Sequence, residues 1–228
     1  MFFSKRIKSI DFSRPIIVLN FKTYTESSGI NALKLAKIAE KVSLKTSLNI
    51  IIAVQAIDLK EISSNVSIPV FAQHVDPFMP GKSTGSIIIE NLSSNIKGSI
   101  LNHSEKKIPL KVISETINRL RDSGLKSIVC ASNNIEAKKI SALRPDFIAV
   151  EPPELIGGEV SVSDAKPEII KKAVNSCMGI PVLAGAGIKN NEDLKIALSL
   201  GCRGVLLSSH FVKAKDPKNF LEELIKET

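Results

Sequence analysis

The chain has 228 residues, 43% of them hydrophobic, which is enough apolar material for one sizeable core. Its formal net charge of +8 favours anionic partners. With no tryptophan and one tyrosine, single-stranded nucleic acid is a poor partner, and no apolar run approaches the ~18 residues of a membrane span. The three cysteines lie far apart, which indicates neither a zinc site nor a disulfide framework and favours a reducing cytoplasm.

Residues 1–14 are expected to form an N-terminal extension, because their few early apolar residues are too short a run for a signal peptide. After them, β-branched runs alternate with segments of helical periodicity. Strands are predicted at residues 16–20, 49–54, 70–74, 98–103, 127–132, 147–151, 181–185 and 204–209. Helices are predicted at residues 31–42, 57–65, 109–124, 134–143, 164–177, 191–200 and 216–227.

A long loop that contains glycine and proline follows the third strand instead of a helix. Eight apolar strands that alternate with helices indicate parallel pairing in a sheet covered on both sides. Residues 15–228 are therefore predicted to form one (β/α)8 barrel domain. A doubly wound open sheet is the alternative, although it usually has fewer strands.

Polar residues follow several of these strands, and in a barrel the carboxyl ends of all strands meet at one mouth. They are Asn20, Lys22, His103, Glu151, Gly185, Gly187, Ser208 and Ser209. The two glycines let backbone amides approach a ligand closely, and the serine pair stands where a short helix can begin, with free N–H groups for an anion. The pattern predicts a pocket for a small phosphorylated molecule, although the glycines alone are equally well explained as tight turns.

Six segments resemble the triosephosphate isomerase family in its short archaeal form. They are "NFKTY" (20–24), "AQHVDPFMPGKSTG" (72–85), "LNHSEKK" (101–107), "VEPPELIGG" (150–158), "LAGAGI" (183–188) and "GVLLSS" (204–209). The resemblance implies a TIM barrel that interconverts dihydroxyacetone phosphate and glyceraldehyde 3-phosphate without a cofactor or a metal ion.

The same resemblance implies roles for five polar side chains. Glu151 is similar to the base that removes a proton beside the carbonyl, and His103 to the neutral imidazole that polarises the carbonyl. Lys22 resembles the lysine beside the phosphate and the enediolate, Asn20 orients its neighbours, and Glu105 pairs with the lysine. Each of these residues also has a plain structural explanation, such as a solvated surface charge.

From the residues, the segment after His103 is expected to start a helical turn whose N-terminus faces the imidazole, with Ser104 as its cap. The resemblance also implies that Phe21, Ile156, Gly157, Gly185, Gly187, Ser208 and Ser209 contact the substrate. "PPELIGG" resembles a mobile lid that excludes water. Gly158 and Glu159 depart from the family pattern there, and His210 replaces a small residue after the eighth strand.

The loop from Met79 to Gly85 resembles the one by which a family protomer reaches its neighbour, so Met79, Pro80 and Thr84 are expected in the interface of a homodimer or tetramer. Two other functions remain open from the residues alone. One is another phosphate-binding barrel, such as a sugar-phosphate epimerase or an indole-pathway isomerase. The other is a sensor of phosphorylated metabolites or a basic nucleic-acid binder without catalysis.

Overall fold

The eight apolar runs form parallel strands that close into a barrel in chain order. The computed structural model describes residues 10–11, 14–46, 48–92, 94–152 and 167–226. The strands are β1 (Ile16–Asn20), β2 (Asn49–Val54), β3 (Val70–Ala72), β4 (Ile96–Leu101), β5 (Lys126–Ala131), β6 (Phe147–Val150), β7 (Val182–Ala184) and β8 (Gly204–Leu207). β1 pairs with both β2 and β8, so the sheet has no free edge. The prediction of a (β/α)8 barrel is confirmed, and the open sheet is excluded.

Helices cover the outside of the barrel. They are α1 (Ile30–Thr46), α2 (Leu59–Asn65), α3 (Leu110–Asp122), α4 (Asn134–Ser141), α5 (Pro167–Ser176), α6 (Asn191–Ser199), α7 (Ser209–Val212) and α8 (Pro217–Leu224). Among the described residues between β3 and β4 there is a 3-10 turn, Ile89–Asn91, and no α-helix. Two helices follow β8, and α7 is a single short turn. No described helix is long and apolar enough to cross a membrane.

Alternate strand residues feed two separate apolar cores, as the two-residue period of a strand requires. One fills the barrel interior with side chains such as Ile51, Phe71 and Phe147. The other lies between the strands and the helices. The interior is closely packed: a Cβ added at Gly98 would lie 2.2 Å from the Lys126 carbonyl oxygen and 2.5 Å from the Phe71 ring. Glycine is therefore required there for Phe71 to occupy the barrel axis.

The element boundaries differ from prediction mainly where polar residues begin. β3 ends at Ala72 rather than residue 74, because Gln73 turns back to donate its side-chain amide to the carbonyl oxygens of Lys22 and Ala53. β4 begins at Ile96, which pairs with Val70, and ends before Asn102, whose φ of 56° cannot continue a strand. α1 continues four residues past the predicted end, to Thr46.

Candidate active site

A cavity of about 330 Å³ opens at the carboxyl ends of the strands. Its lining comes from the end of β8 and from the residues that follow β1, β4, β6, β7 and β8. It comprises Lys22, His103, Ser104, Glu151, Gly185, Ala186, Gly187, Ile188, Lys189, Leu206, Leu207, Ser208, Ser209 and His210. Two parts of this lining are named here. The β4–β6 wall consists of His103, Ser104 and Glu151, and the β7–β8 wall consists of residues 185–189 and 208–210.

Glu151 directly follows β6 and is only 3% exposed. Its N–H donates to the Ala131 carbonyl of β5 at 2.8 Å, so the sheet ladder fixes its backbone. Its Oε1 lies 3.1 Å from His103 Nε2, and its Oε2 accepts the Ser104 N–H at 3.2 Å. A buried carboxylate with two donors is held in place, and it faces the cavity with little competing water.

Gly185 provides the space in which Glu151 lies. A Cβ at this position would stand 2.6 Å from Glu151 Cγ and 3.0 Å from the Val150 carbonyl oxygen. The Gly185 N–H also donates to that carbonyl at 2.8 Å. The glycine after β7 therefore serves the carboxylate after β6, rather than only making a turn.

The hydrogen bonds around His103 define its tautomer. The Glu105 N–H donates to Nδ1 at 3.2 Å, so Nδ1 is the acceptor and the ring proton resides on Nε2. Nε2 in turn faces Glu151 and the cavity. The expected turn after His103 is present: residues 104–106 are closed by the Lys106 N–H, which donates to the His103 carbonyl at 2.8 Å. The turn does not continue into a helix, because α3 begins only at Leu110.

Lys22 has a left-handed backbone, with φ of 49°. Its N–H donates to Asn20 Oδ1 at 3.0 Å, and its carbonyl accepts from Gln73 Nε2 at 2.9 Å. Its Nζ donates to Glu105 Oε1 at 2.7 Å. A lysine in this region costs about 1–3 kcal/mol of backbone strain, so these contacts over-determine where the cation stands.

The β7–β8 wall is built mainly of backbone. Gly187 has a φ of 74°, which glycine adopts without strain. Beside it, α7 starts at Ser209, and its first internal bonds run from the N–H groups of Phe211 and Val212 to the Ser208 carbonyl. The N–H groups of Ser209 and His210 precede these bonds and have no acceptor within the helix. Ser208 Oγ is buried and has no hydrogen-bond partner in the described part of the chain.

A buried thiol, that of Cys130, interacts with Glu151. Cys130 lies in β5 with its side chain in the barrel interior. Burial raises the pKa of Cys130 well above its usual range, and the charge of Glu151 and a hydrogen bond to it raise that pKa further. The thiol is therefore neutral, and it supports the carboxylate as a weak donor.

A family model and individual relatives both identify the family of this chain. A family model described as triosephosphate isomerase matches residues 15–228. The chain is 51% identical to the triosephosphate isomerase of Methanothermus fervidus over 94% of this chain and 99% of that protein. It is 48% identical to the triosephosphate isomerase of Methanocaldococcus jannaschii over 92% of this chain and 99% of that protein. The chain belongs to the triosephosphate isomerase family.

Most of the residues that the sequence assigned to a triosephosphate isomerase site meet at the cavity. Those that line it are Lys22, His103, Glu151, Gly185, Gly187, Ser208 and Ser209. Asn20 and Glu105 contact Lys22 but do not line the cavity themselves. Phe21 is fully buried and packs on Phe211, with ring centroids 6.1 Å apart, so the structure does not bring it to the cavity. Ile156 and Gly157, like Gly158 and Glu159, lie outside the described residues.

Three residues at or next to this cavity were not predicted from the sequence as part of the site. Lys189 and His210 line the β7–β8 wall, and burial lowers the pKa of His210, with the Lys189 charge acting in the same direction. Cys130 was findable, because it is two residues from Ile128 and thus shares its inward face. No group of three histidine, cysteine or acidic side chains suited to a metal ion occurs among the described residues.

Proposed function

We propose that this protein interconverts dihydroxyacetone phosphate and D-glyceraldehyde 3-phosphate by proton transfer through an enediolate. One observation carries the proposal: a buried carboxylate oxygen of Glu151 and the Nε2 of His103 lie 3.1 Å apart at the same cavity. A base and a hydrogen-bond donor at this separation can address neighbouring carbon and oxygen atoms of one small molecule. The cavity of about 330 Å³ suits a ligand of that size.

In the proposed reaction, Glu151 removes a proton from the carbon beside the carbonyl and later returns it to the adjacent carbon. His103 Nε2–H donates to the carbonyl oxygen as negative charge develops there. The imidazole gives this proton to that oxygen and takes one from the neighbouring hydroxyl oxygen, so the O–H proton also moves between the two oxygens and the isomerisation is complete. The His103 Nε2–H faces Glu151 Oε1 across 3.1 Å. The substrate oxygen therefore replaces the carboxylate as its acceptor, which frees Oε1 to act as the base.

Lys22 supplies the fixed positive charge of the proposed mechanism. A cation in a partly dry cavity stabilises both the phosphate group and the enediolate. Glu105 accepts a hydrogen bond from Lys22 Nζ and donates its own N–H to His103 Nδ1. Glu105 thus links the cation to the imidazole and holds both at one edge of the substrate. Asn20 contributes by binding the strained backbone of Lys22.

The substrate phosphate is assigned to the β7–β8 wall. Support comes from the N–H groups at the start of α7, the left-handed Gly187, and the unpartnered hydroxyl of Ser208. A buried polar atom without a partner costs about 1–3 kcal/mol, and a phosphate oxygen would satisfy it. Ile156 and Gly157 are proposed to complete the site as a lid, on the basis of the "PPELIGG" resemblance.

A direct assay tests this function. Purified protein is supplied with D-glyceraldehyde 3-phosphate, and formation of dihydroxyacetone phosphate is followed with a coupling dehydrogenase. Glu151→Asp shortens the base by one methylene and is expected to lower kcat by about 10²–10⁴-fold with the fold intact. Glu115→Asp, on the outer surface of α3, is the control and leaves kcat unchanged. A folded wild-type protein without turnover contradicts the proposal.

We also propose that the protein is a homo-oligomer joined through the loop from Met79 to Gly85. Met79 is 68% exposed, and Phe78 and Ile57 are exposed apolar side chains as well. Exposed apolar side chains on a long loop favour a protein partner. Met79→Lys is expected to shift the sedimentation coefficient toward the monomer, whereas Met178→Lys, at a methionine that is 60% exposed and far along the chain, leaves it unchanged. A monomeric wild type rejects this proposal.

The location and the domain limits belong to the same proposal. All three cysteines are free and buried, which fits a reducing cytoplasm. Residues 15–228 are taken as the single catalytic domain and residues 1–14 as its N-terminal extension. Ile10 packs against the barrel interior, and the Asp11 N–H donates to Asn49 Oδ1 at 2.9 Å, so part of this extension contacts the amino end of the barrel.

A further inference from the structure

Three polar side chains that do not line the cavity hold the loop that carries His103. They are Asn102, Lys107 and Glu136, and together they are called the loop clamp. Asn102 and Lys107 stand on either side of the loop, whereas Glu136 belongs to the first turn of α4. Asn102 and Lys107 lie in the "LNHSEKK" segment, but nothing in the sequence pattern links Glu136 to them, because its contacts with them span 34 and 29 positions.

Asn102 uses its side chain to close the loop at its base. It is 1% exposed and has a φ of 56°, a conformation that asparagine tolerates better than most residues. Its Oδ1 accepts the Ile108 N–H at 3.1 Å, which joins the two ends of the loop. Its Nδ2 donates to the Cys130 carbonyl at 2.8 Å and to Glu136 Oε1 at 2.9 Å. The start of the loop is thereby tied to β5 and to α4.

Glu136 binds both ends of the loop with one carboxylate. Besides Asn102, its Oε1 accepts Lys107 Nζ at 2.7 Å, and its Oε2 accepts the Ser132 N–H at 2.7 Å. Burial by itself raises the pKa of Glu136, but the hydrogen bonds from Lys107, Ser132 and Asn102 outweigh it and lower the pKa. The carboxylate is therefore charged at neutral pH, and its bonds are charge-assisted.

The contacts that His103 and Ser104 make with Glu151 arise on the loop that this clamp holds. His103 faces Glu151, Ser104 donates its N–H to the same carboxylate, and the Glu105 N–H fixes the imidazole tautomer. His103, Ser104 and Glu105 lie at an isolated turn that no helix directly follows. Their geometry thus depends on what holds residues 102 and 107.

We propose that Glu136 is a positioning residue for the isomerase reaction, acting through Asn102 and Lys107 to hold His103 Nε2 toward the substrate oxygen. The inference rests on the proposed function, since it concerns the same imidazole. It assigns a role to a residue of α4 that contacts neither the cavity nor His103 itself. A displacement of a reacting group by about 1 Å can cost about 10²-fold in rate, so loss of this support is expected to lower turnover by about 10–100-fold.

The test compares Glu136→Ala with Glu136→Gln. The alanine variant is expected to lower kcat by about 10–100-fold and to change KM by less than about 2-fold. Glutamine keeps the shape and one acceptor oxygen, so Glu136→Gln retains a larger part of kcat. Glu115→Ala is the matched control: Glu115 also pairs with a lysine, Lys111, at 3.9 Å, but on an exposed helix face, and its loss leaves kcat unchanged.

A spectroscopic measurement separates positioning from general stability. The chain has three histidines, so the imidazole ¹⁵N resonances can be assigned one by one. The wild type is expected to show His103 as the single Nε2–H tautomer, and Glu136→Ala to show exchange between tautomers. Lys107→Met breaks the same ion pair from the exposed side, so it serves in the same experiment should the alanine variant not fold. It is expected to show a smaller change in the same direction.

The outcomes are distinct. An inactive but folded wild type overturns the proposed function, while the tautomer measurement still tests the positioning. An active wild type whose Glu136→Ala and Lys107→Met variants keep both kcat and the His103 tautomer overturns this inference and leaves the function intact. A lower melting temperature with an unchanged His103 spectrum and unchanged kcat shows that the loop clamp is structural only.

Discussion

The two walls of the cavity differ in what forms them: one consists of side chains, and the other mainly of backbone. The β4–β6 wall consists of buried side chains, His103 and Glu151, whose positions depend on neighbouring carboxylates and amides. The β7–β8 wall consists mainly of backbone, with Gly187 in a left-handed conformation and the first N–H groups of α7. Side chains can change their proton, whereas amides cannot. The first wall is therefore suited to chemistry, and the second to holding a fixed negative charge.

The largest predicted separation of the two walls comes from His103→Gln. Glutamine removes the imidazole donor, so kcat is expected to fall by about 10²–10³-fold. The dissociation constant for inorganic phosphate is expected to change by less than about 3-fold, because the β7–β8 wall is untouched. Steady-state kinetics and calorimetric phosphate titration measure the two quantities. An equal loss of phosphate binding would show that the walls do not act separately.

Gly185→Ala tests the place where the walls touch. The added Cβ would lie 2.6 Å from Glu151 Cγ, so the carboxylate has to move. We expect kcat to fall by about 10–100-fold, since a displacement of about 1 Å is costly at a reacting group. Gly201→Ala is the comparison: its φ of 95° strains any side chain, but it lies far from Glu151. That variant should lose stability and keep kcat, and a loss of kcat in both would refute the assignment.

Of the variants proposed here, Ser208→Ala is predicted to change turnover least, and it is expected to make the protein more stable rather than less. Removal of a buried hydroxyl without a partner should raise the free energy of unfolding by about 1 kcal/mol. KM should rise a few-fold with kcat unchanged, because one phosphate contact is lost. Chemical denaturation and initial-rate kinetics check this, with Ser199→Ala, at an exposed position of α6 outside the cavity, as the control. A less stable variant with unchanged KM would show that the Ser208 hydroxyl does not bind the substrate phosphate.

The barrel was predictable because its signal is local and periodic. β1 and β2 were predicted to the residue, since each is an uninterrupted run of apolar residues closed by a polar one or a turn. The cavity was predictable for a different reason: parallel strands bring their carboxyl ends together whatever the sequence between them. The convergence of His103 and Glu151 follows from topology once eight strands are counted.

The contacts that hold the site in place were not predictable, because they depend on hydrogen bonds that follow no periodic pattern in the sequence. Glu136 has the ordinary sequence context of an acidic residue in the first turn of a helix. Its bonds to Asn102 and Lys107 follow from how two separate loops meet above the barrel. The separation of the turn after His103 from α3 was not predictable either, because a serine followed by charges is equally typical of a helix start.

The left-handed backbone of Lys22 has a consequence for evolution and engineering. A residue with a Cβ is held there against its preference, at about 1–3 kcal/mol, and glycine at the same position would relax it. A search for heat-resistant variants that ignores turnover would thus be drawn to Lys22→Gly, and would discard the cation to gain a few degrees. Robustness and catalytic competence are in conflict at this one peptide unit, so a library built on this scaffold needs to keep position 22 unvaried.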